Sequence, residues 1–451
     1  MELPYRKDRR YLTGVDWTVN LFHHATSLET GVGNLSQIVL ELEGSLSLAT
    51  LEEALAEAFR RFPLMAGQPA RDWLNLAPYW SYPASPDPAR RPWRIRETRV
   101  SAGTGFDTLL GLLSVPVNTP LANETEHLVL TIVRDGSLRT WLGMTFDHRL
   151  FDARGAETFL AMLQEISAPA TAANPIPAAI TEPAHLDNWV EKFKSGQQVN
   201  RKFMELRRKP IAYLQRLPRR HLRPYHFHVY RCSGAESAAF AEAADNEAGP
   251  LMLMPYALAM AIEILHPVFQ ARRIPGQEYL IPVSLDARTL GKKWDEVFFN
   301  HLSFLFFEMP VAQAGNRPAL LDLTIQQFYN QIRSGFPKAV ANANMLMRIA
   351  PLGLMRRIAS LPLRGENGSF CFAYVGTSAL NACPDFLGLP ILNLFHMPRV
   401  PPPPGIGIFL NQFRGRYNVT FTHLDGMLTD DEARAIIERI RERMALPEKK
   451  P

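Results

Sequence analysis

Residues 128–133 and 138–146 form two apolar runs separated by a turn containing Asp135-Gly136, and the second run delivers the chain to Asp147-His148. Asp-Gly is the strongest short hairpin signal, so the two runs are predicted to pair antiparallel. Beyond them Phe159, Leu163 and Ile166 recur at helical spacing. His148 is thereby placed where a strand hands over to a helix, which calls for a mixed sheet-and-helix fold.

The rest of the chain repeats this grammar. Ile38-Val39-Leu40 passes into the alternation Leu40-Glu41-Leu42-Glu43 and is broken by Gly44, as in a partly buried strand. Thr50 with Glu53 reads as a capping box, opening a helix whose Leu51, Leu55, Phe59 and Phe62 share a face and which stops at Pro63. Strands are expected at 225–232, 279–284, 302–307 and 417–422, and an apolar core helix at 251–266. A last helix should start at the Thr429/Glu432 box ahead of Ile436, Ile437, Ile440 and Met444.

With 451 residues the chain exceeds what one core usually supports. The Ala/Pro-rich stretch from 168 to 183 has linker composition. The expected division is an N-terminal lobe over 1–170, a linker at 171–183 and a C-terminal lobe over 184–451.

Composition narrows the function. The charged residues of 1–12 precede no apolar segment of the signal-peptide kind, and the 251–269 stretch, interrupted by Pro255, Glu263, His266 and Pro267, is too short to span a bilayer. Cys232, Cys371 and Cys383 are scattered without metal-ligand spacing, so a reducing, cytoplasmic compartment and no metal are expected. The net charge of +5 hides one basic strip: residues 192–223 hold eleven Lys or Arg against Glu205 alone. That strip reads as a solvated helical face, as a site for CoA phosphates or an acidic carrier protein, or as a patch peripheral to the inner membrane surface. The Arg residues among Met, Leu and Ile in 345–364 add weight to the last. With few interleaved aromatics and no recognisable binding module, nucleic acid is not an expected partner.

The segment that carries chemistry runs Phe146-Asp147-His148-Arg149-Leu150-Phe151-Asp152-Ala153-Arg154-Gly155. HxxxD at a strand exit, followed by an amphipathic helix, resembles the HHxxxDG signature of the CoA-dependent acyltransferase superfamily, which includes condensation domains, wax ester synthases and chloramphenicol acetyltransferases. The leading His is Asp147 here and the Gly after the Asp is Ala153, with Gly155 two positions on. Ile281-Pro282-Val283-Ser284 with Arg288, then Asn300-His301-Leu302-Ser303 and Pro310, is similar to a further block of these enzymes, with Phe299 in the place of a Gly. Residues 42–46 and 61–64, and 370–377, 386–388 and 417–422, are similar to their opening and closing segments.

The resemblance implies an α/β chain built as α+β two-layer sandwiches: two chloramphenicol acetyltransferase-like lobes with an active-site tunnel between them. It implies an acyltransferase with His148 as general base, a group able to take a proton near neutral pH. Asp152 would be turned from the substrate to pair with Arg288 in structural support of the site, together with Gly155. Asn300, Ser303, Gly376 and Thr377 are candidate substrate or oxyanion contacts, Ser303 and Thr377 reading equally as structural hydroxyls. The donor would be acyl-CoA or an acyl-phosphopantetheine carrier protein, with no permanently bound cofactor, and the acceptor a small molecule or lipid. The rivals are a freestanding peptide-synthetase-type condensation domain, a dihydrolipoyl-type acyltransferase suggested by Asp147-His148-Arg149, and a degenerate, non-catalytic binding member. His226 and His228 share a strand face without a third metal ligand, and 401–404 reads as a rigid proline loop.

Overall fold

The computed structural model describes residues 9–445 except 75, 88, 137, 168–188, 207–208, 216–222, 289–295, 349 and 361–367. The expected linker at 171–183 lies outside the described residues.

Two six-stranded mixed sheets organise the chain. The first runs Asp385–Phe386, Leu389–Pro398, Leu35–Glu43, Arg139–Asp147, Leu128–Asp135, Trp93–Val100. The predicted hairpin forms the fourth and fifth strands, with Leu128 opposite Phe146 and Asp135 opposite Arg139. The second runs Leu302–Pro310, Glu278–Asp286, Cys371–Thr377, Ile406–Phe413, Arg416–Leu424, Tyr225–Arg231. A small third sheet joins Arg9–Tyr11, Pro78–Ser81 and Gln68–Arg71.

Residues of Leu389–Pro398 sit antiparallel to Leu35–Glu43, Pro398 opposite Ser36 and Leu394 opposite Leu40. The first sheet is therefore completed by chain from the far end of the sequence. Leu35–Glu43 is consequently buried on both faces. Ile38, Leu40 and Leu42 pack with the helices Leu48–Arg61 and Ala153–Ser167. Leu35 and Val39 belong to the core shared with the second sheet and with the helices Leu253–Ala271 and Asp430–Met444. Alternate side chains of a strand point to opposite faces, so a strand between two layers is buried on both, and its polar Gln37 and Glu41 are hydrogen-bonded there to Thr145 and Arg139.

Local signals account for the helix ends, with one displacement. Thr429 and Glu432 form the expected capping box. The helix expected to be capped by Thr50 starts earlier, at Leu48, because Ser47 accepts the Thr50 N–H (3.3 Å) and supplies the cap itself. Leu253–Ala271 is packed inside the core over most of its length.

Candidate active site

His148 follows the last residue of Arg139–Asp147, and Ala153–Ser167 begins five residues later. Its main chain is held from both parts of the molecule. The His148 N–H donates to the Asn34 carbonyl (3.2 Å) beside the first sheet, and Asn300 Nδ2, beside the second, donates to the His148 carbonyl (3.0 Å). The imidazole is half-buried, and neither ring nitrogen hydrogen-bonds to a described residue; Nδ1 is sealed from solvent. Two further polar atoms on the same three residues, Asn300 Oδ1 and Asn34 Oδ1, are also buried without a partner. Most buried polar atoms in folded proteins are paired, and these three have no partner among the described residues.

Asp152 is fully buried and accepts four N–H groups: Arg288 Nη1 (3.0 Å) and Nη2 (2.7 Å), Gly155 N (2.8 Å) and His301 N (2.9 Å). Burial by itself would raise this carboxyl, but the Arg288 guanidinium and the remaining donors more than offset it and hold it below the usual carboxylate range. Arg288 also donates to the Glu296 carbonyl (3.1 and 2.9 Å). Gly155 lets the helix approach this pair. A Cβ there would lie 2.3 Å from the Val297 carbonyl oxygen and 3.1 Å from Arg288 Nη2. Ala153 opens the helix without the left-handed backbone that would demand glycine.

Phe299 does take that backbone, with φ of 69°. Its N–H donates to the Leu150 carbonyl (2.6 Å), and its ring lies under Arg10 (3.8 Å) and edge-on to Trp80 (5.7 Å). The connection between His148 and Asp152 is thereby tied to the segment carrying Asn300.

Asp147 points away from His148, as strand neighbours do. Its buried carboxylate is gripped by Arg149 Nε (2.9 Å) and Nη2 (2.6 Å) and by His127 Nδ1 (3.0 Å), with His23 Nδ1 at 3.5 Å. Burial opposes its ionisation, yet Arg149 and the two histidines hold it well below the usual range. His127 Nε2 faces the Gly67 carbonyl (2.6 Å). A cavity of about 430 Å³ adjoins this cluster, lined by His23, Ser27, Gly33, Gln68, Asn123 and Arg149 among others; all its lining residues come from residues 23–149.

The remaining candidate contacts separate. Ser303 Oγ donates to the Pro337 carbonyl (2.6 Å), and Thr377 Oγ1 donates to Gln412 Oε1 (3.0 Å) at the surface. Gly376, at φ of 78°, lies against Arg154. Arg154 was not singled out from the sequence, yet it donates to the Val375 carbonyl (2.7 Å) and to the Thr377 carbonyl and pairs with Glu157 (3.2 Å). Glu157 is buried, held by His396 Nε2 (2.8 Å) and the Ala379 N–H (2.8 Å). Among the described residues no group of three or more His, Cys, Asp or Glu is arranged to hold a metal.

No family model matches the sequence, and no curated protein matches it either. Solved structures do match. The first condensation domain of the calcium-dependent antibiotic synthetase, in complex with a substrate analogue, aligns with TM-score 0.68 at 15% identity, over 97% of this chain and 95% of that one. Trichothecene 15-O-acetyltransferase TRI3 from Fusarium sporotrichioides gives 0.67 at 13% identity over 97% and 95%. The epimerization domain from the third module of tyrocidine synthetase B gives 0.62 at 9% identity over 97% and 96%. Along nearly its whole length the chain has the fold of these condensation, O-acetyltransferase and epimerization domains.

Proposed function

We propose that this protein is an acyltransferase, moving an acyl group from a thioester carried by CoA or by a carrier protein's phosphopantetheine to a hydroxyl or amine acceptor, with His148 as general base. Support comes chiefly from three buried polar atoms without a partner among the described residues: His148 Nδ1 and the Oδ1 atoms of Asn34 and Asn300, the two residues that hold the His148 main chain. A substrate hydroxyl or amide placed there gives them partners, and the imidazole is left free to take a proton.

In the reaction the acceptor's proton passes to the imidazole as its oxygen or nitrogen attacks the thioester carbonyl. The tetrahedral adduct collapses with cleavage of the C–S bond, and the imidazolium returns the proton to the departing sulfur. The base contributes about a hundred- to ten-thousand-fold. Asp152 and Arg288, facing each other, are positioning residues that fix the connection carrying His148.

Thioester consumption followed by mass spectrometry, with a panel of acyl-CoA and acyl-carrier donors and with alcohol and amine acceptors, tests this reading. His148→Ala should lose turnover by that factor with an unchanged melting temperature. Equal turnover in the variant removes the mechanism. A wild-type chain that binds donors without consuming them is a binding protein, and amine-only acylation makes it an amide-forming condensation enzyme.

A further inference from the structure

The cavity of about 430 Å³ beside Asp147 serves no step of the proposed reaction, and His148 is not among the residues that line it. Its polar lining is rich in unused donors. Asn123 Oδ1 accepts Thr125 N (2.9 Å), Thr125 Oγ1 (2.8 Å) and Glu126 N (3.0 Å), so the amide's NH2 is the half that donates to no described residue. Arg149 holds Asp147 through Nε and Nη2, and its Nη1 has no partner among the described residues. The Ser27 hydroxyl and the exposed Gln68 amide likewise make no hydrogen bond to a described residue.

Charge balance decides what those donors can hold. Arg149 is neutralised by the buried Asp147 carboxylate. Arg399 has no such partner: it is buried, Nη1 donates to the Gly33 carbonyl (2.6 Å) and Nη2 to Thr30 Oγ1 (2.7 Å), Nε is sealed without a partner, and no described carboxylate pairs with it. Burial pulls this guanidinium down to about 10, which leaves it charged near neutral pH. A buried cation without a counter-charge is costly, and an anion nearby lowers that cost. Gly33, whose carbonyl it grips, lines the cavity, so the charge stands one hydrogen bond from the lining. His23 in the same wall is pushed down by burial, with Asp147 opposing. Glu124, an exposed side chain, is the one carboxylate among the lining residues. Leu35, Pro69, Pro120 and Leu121 add apolar wall.

We infer that this cavity binds a small monocarboxylate, its carboxylate accepting from Arg149 Nη1 and the Asn123 amide and its apolar body lying against the leucines and prolines. Two guanidinium groups against the single Asp147 leave one positive charge, which calls for one negative charge in return. A dianionic phosphate exceeds that balance and meets Glu124 as well. Binding here is separate from the chemistry at His148 and is read without turnover.

Titration of the full chain with hexanoate, hexanamide and inorganic phosphate, followed by ligand-observed NMR, tests this. Hexanoate should bind about tenfold or more tighter than hexanamide, the margin of charged over neutral hydrogen bonds, and tighter than phosphate. Asn123→Asp keeps the oxygen that closes the Thr125–Glu126 turn but replaces the donor by a charged acceptor, and should weaken hexanoate about tenfold or more. Gln68→Glu adds the same charge at an exposed position that holds no turn, and should weaken hexanoate too, whether or not the first variant folds well. Glu124→Gln should strengthen it. His148→Ala should leave hexanoate affinity unchanged, which separates a failure of this proposal from a failure of the acyl-transfer reading. Hexanamide binding as tightly as hexanoate, phosphate binding more tightly, or hexanoate binding unaltered in Asn123→Asp and Gln68→Glu overturns the proposal. So does hexanoate affinity that falls in Glu124→Gln or is lost in His148→Ala.

Discussion

Replacing Arg288 by Met leaves the Asp152 carboxylate buried with two of its four hydrogen-bond donors and without the guanidinium beside it. The two lost bonds are the charged ones, at 3.0 and 2.7 Å; the Gly155 and His301 N–H groups remain. Stranding one member of a buried ion pair costs about 3–5 kcal/mol. In wild type burial pushes the Asp152 carboxyl up, but Arg288 more than offsets this and the folded value lies below the ordinary one. Its contribution to stability is therefore complete above the unfolded value of about 3.9 and disappears as pH falls through the lower folded value. In Arg288→Met burial prevails and the folded value rises above the unfolded one, so the variant's fold gains from protonation as the solution becomes more acid. The stability gap between the two proteins should accordingly narrow, by up to about 1.4 kcal/mol per pH unit, once the pH drops below the variant's raised value. Urea titrations followed by circular dichroism at a series of pH values measure the gap. Adding Asp152→Asn to Arg288→Met removes the stranded charge and should restore part of the loss near neutral pH. A gap below about 1 kcal/mol, or one that does not move with pH, refutes the account of Arg288 as the counter-charge that makes buried Asp152 tolerable.

Gly155→Ala forces a Cβ to 2.3 Å from the Val297 carbonyl oxygen. The melting temperature should fall by the equivalent of about 1–3 kcal/mol, and turnover with it. Phe299→Gly relieves a φ of 69° worth about 1–2 kcal/mol but deletes a fully buried ring worth about 3–5. The net should be a loss near 2 kcal/mol, and a stabilised variant would show that strain outweighs packing there. His228 and His423 are pushed down mainly by burial, to about 4 and about 3, beside His226, with Asp107 and Asp425 opposing weakly. The fold thus holds both neutral, so stability should be complete above the unfolded value of about 6.5 and decline as pH falls toward about 4. Melting curves over that window should be flatter for His423→Phe than for wild type.

Elements with a local signature were legible. The Asp135-Gly136 hairpin, the Thr429/Glu432 box and the apolar run of Leu253–Ala271 each declare themselves within a few residues. The pairing of Leu389–Pro398 with Leu35–Glu43 was not, because strand order is decided by packing between distant segments and leaves no mark on either one. The small sheet was equally hidden. Its strands, Arg9–Tyr11, Gln68–Arg71 and Pro78–Ser81, are three or four residues long, too short to display an alternation. In the site, His148 and Asp152 announced themselves through their spacing, and Arg288 only through resemblance. Arg154, Glu157 and His396 carry no motif. Glu157 sits on the buried face of an amphipathic helix, and its partner His396 arrives on the strand whose placement the sequence conceals. A buried Glu one turn after HxxxD was the available hint, since such a group requires a cation or donors.

The substitution of Asp147 at the leading position of the signature is explained by what lies behind the strand. That side chain faces the opposite way from His148, so it need not be a base or a donor to substrate; it must only be satisfied in the interior. Arg149 does this through two nitrogens from two residues away, and His127 does so from the neighbouring strand's entry, relaying to the Gly67 carbonyl. Asp147 and Arg149 thus form one unit, and a histidine at 147 would leave the half-buried Arg149 without its carboxylate. The unpartnered atoms belong to Asn34, His148 and Asn300, and among the described residues none of their side chains hydrogen-bonds to that unit. The departure at position 147 therefore alters how the strand end is anchored and leaves the side chains of Asn34, His148 and Asn300 as they are.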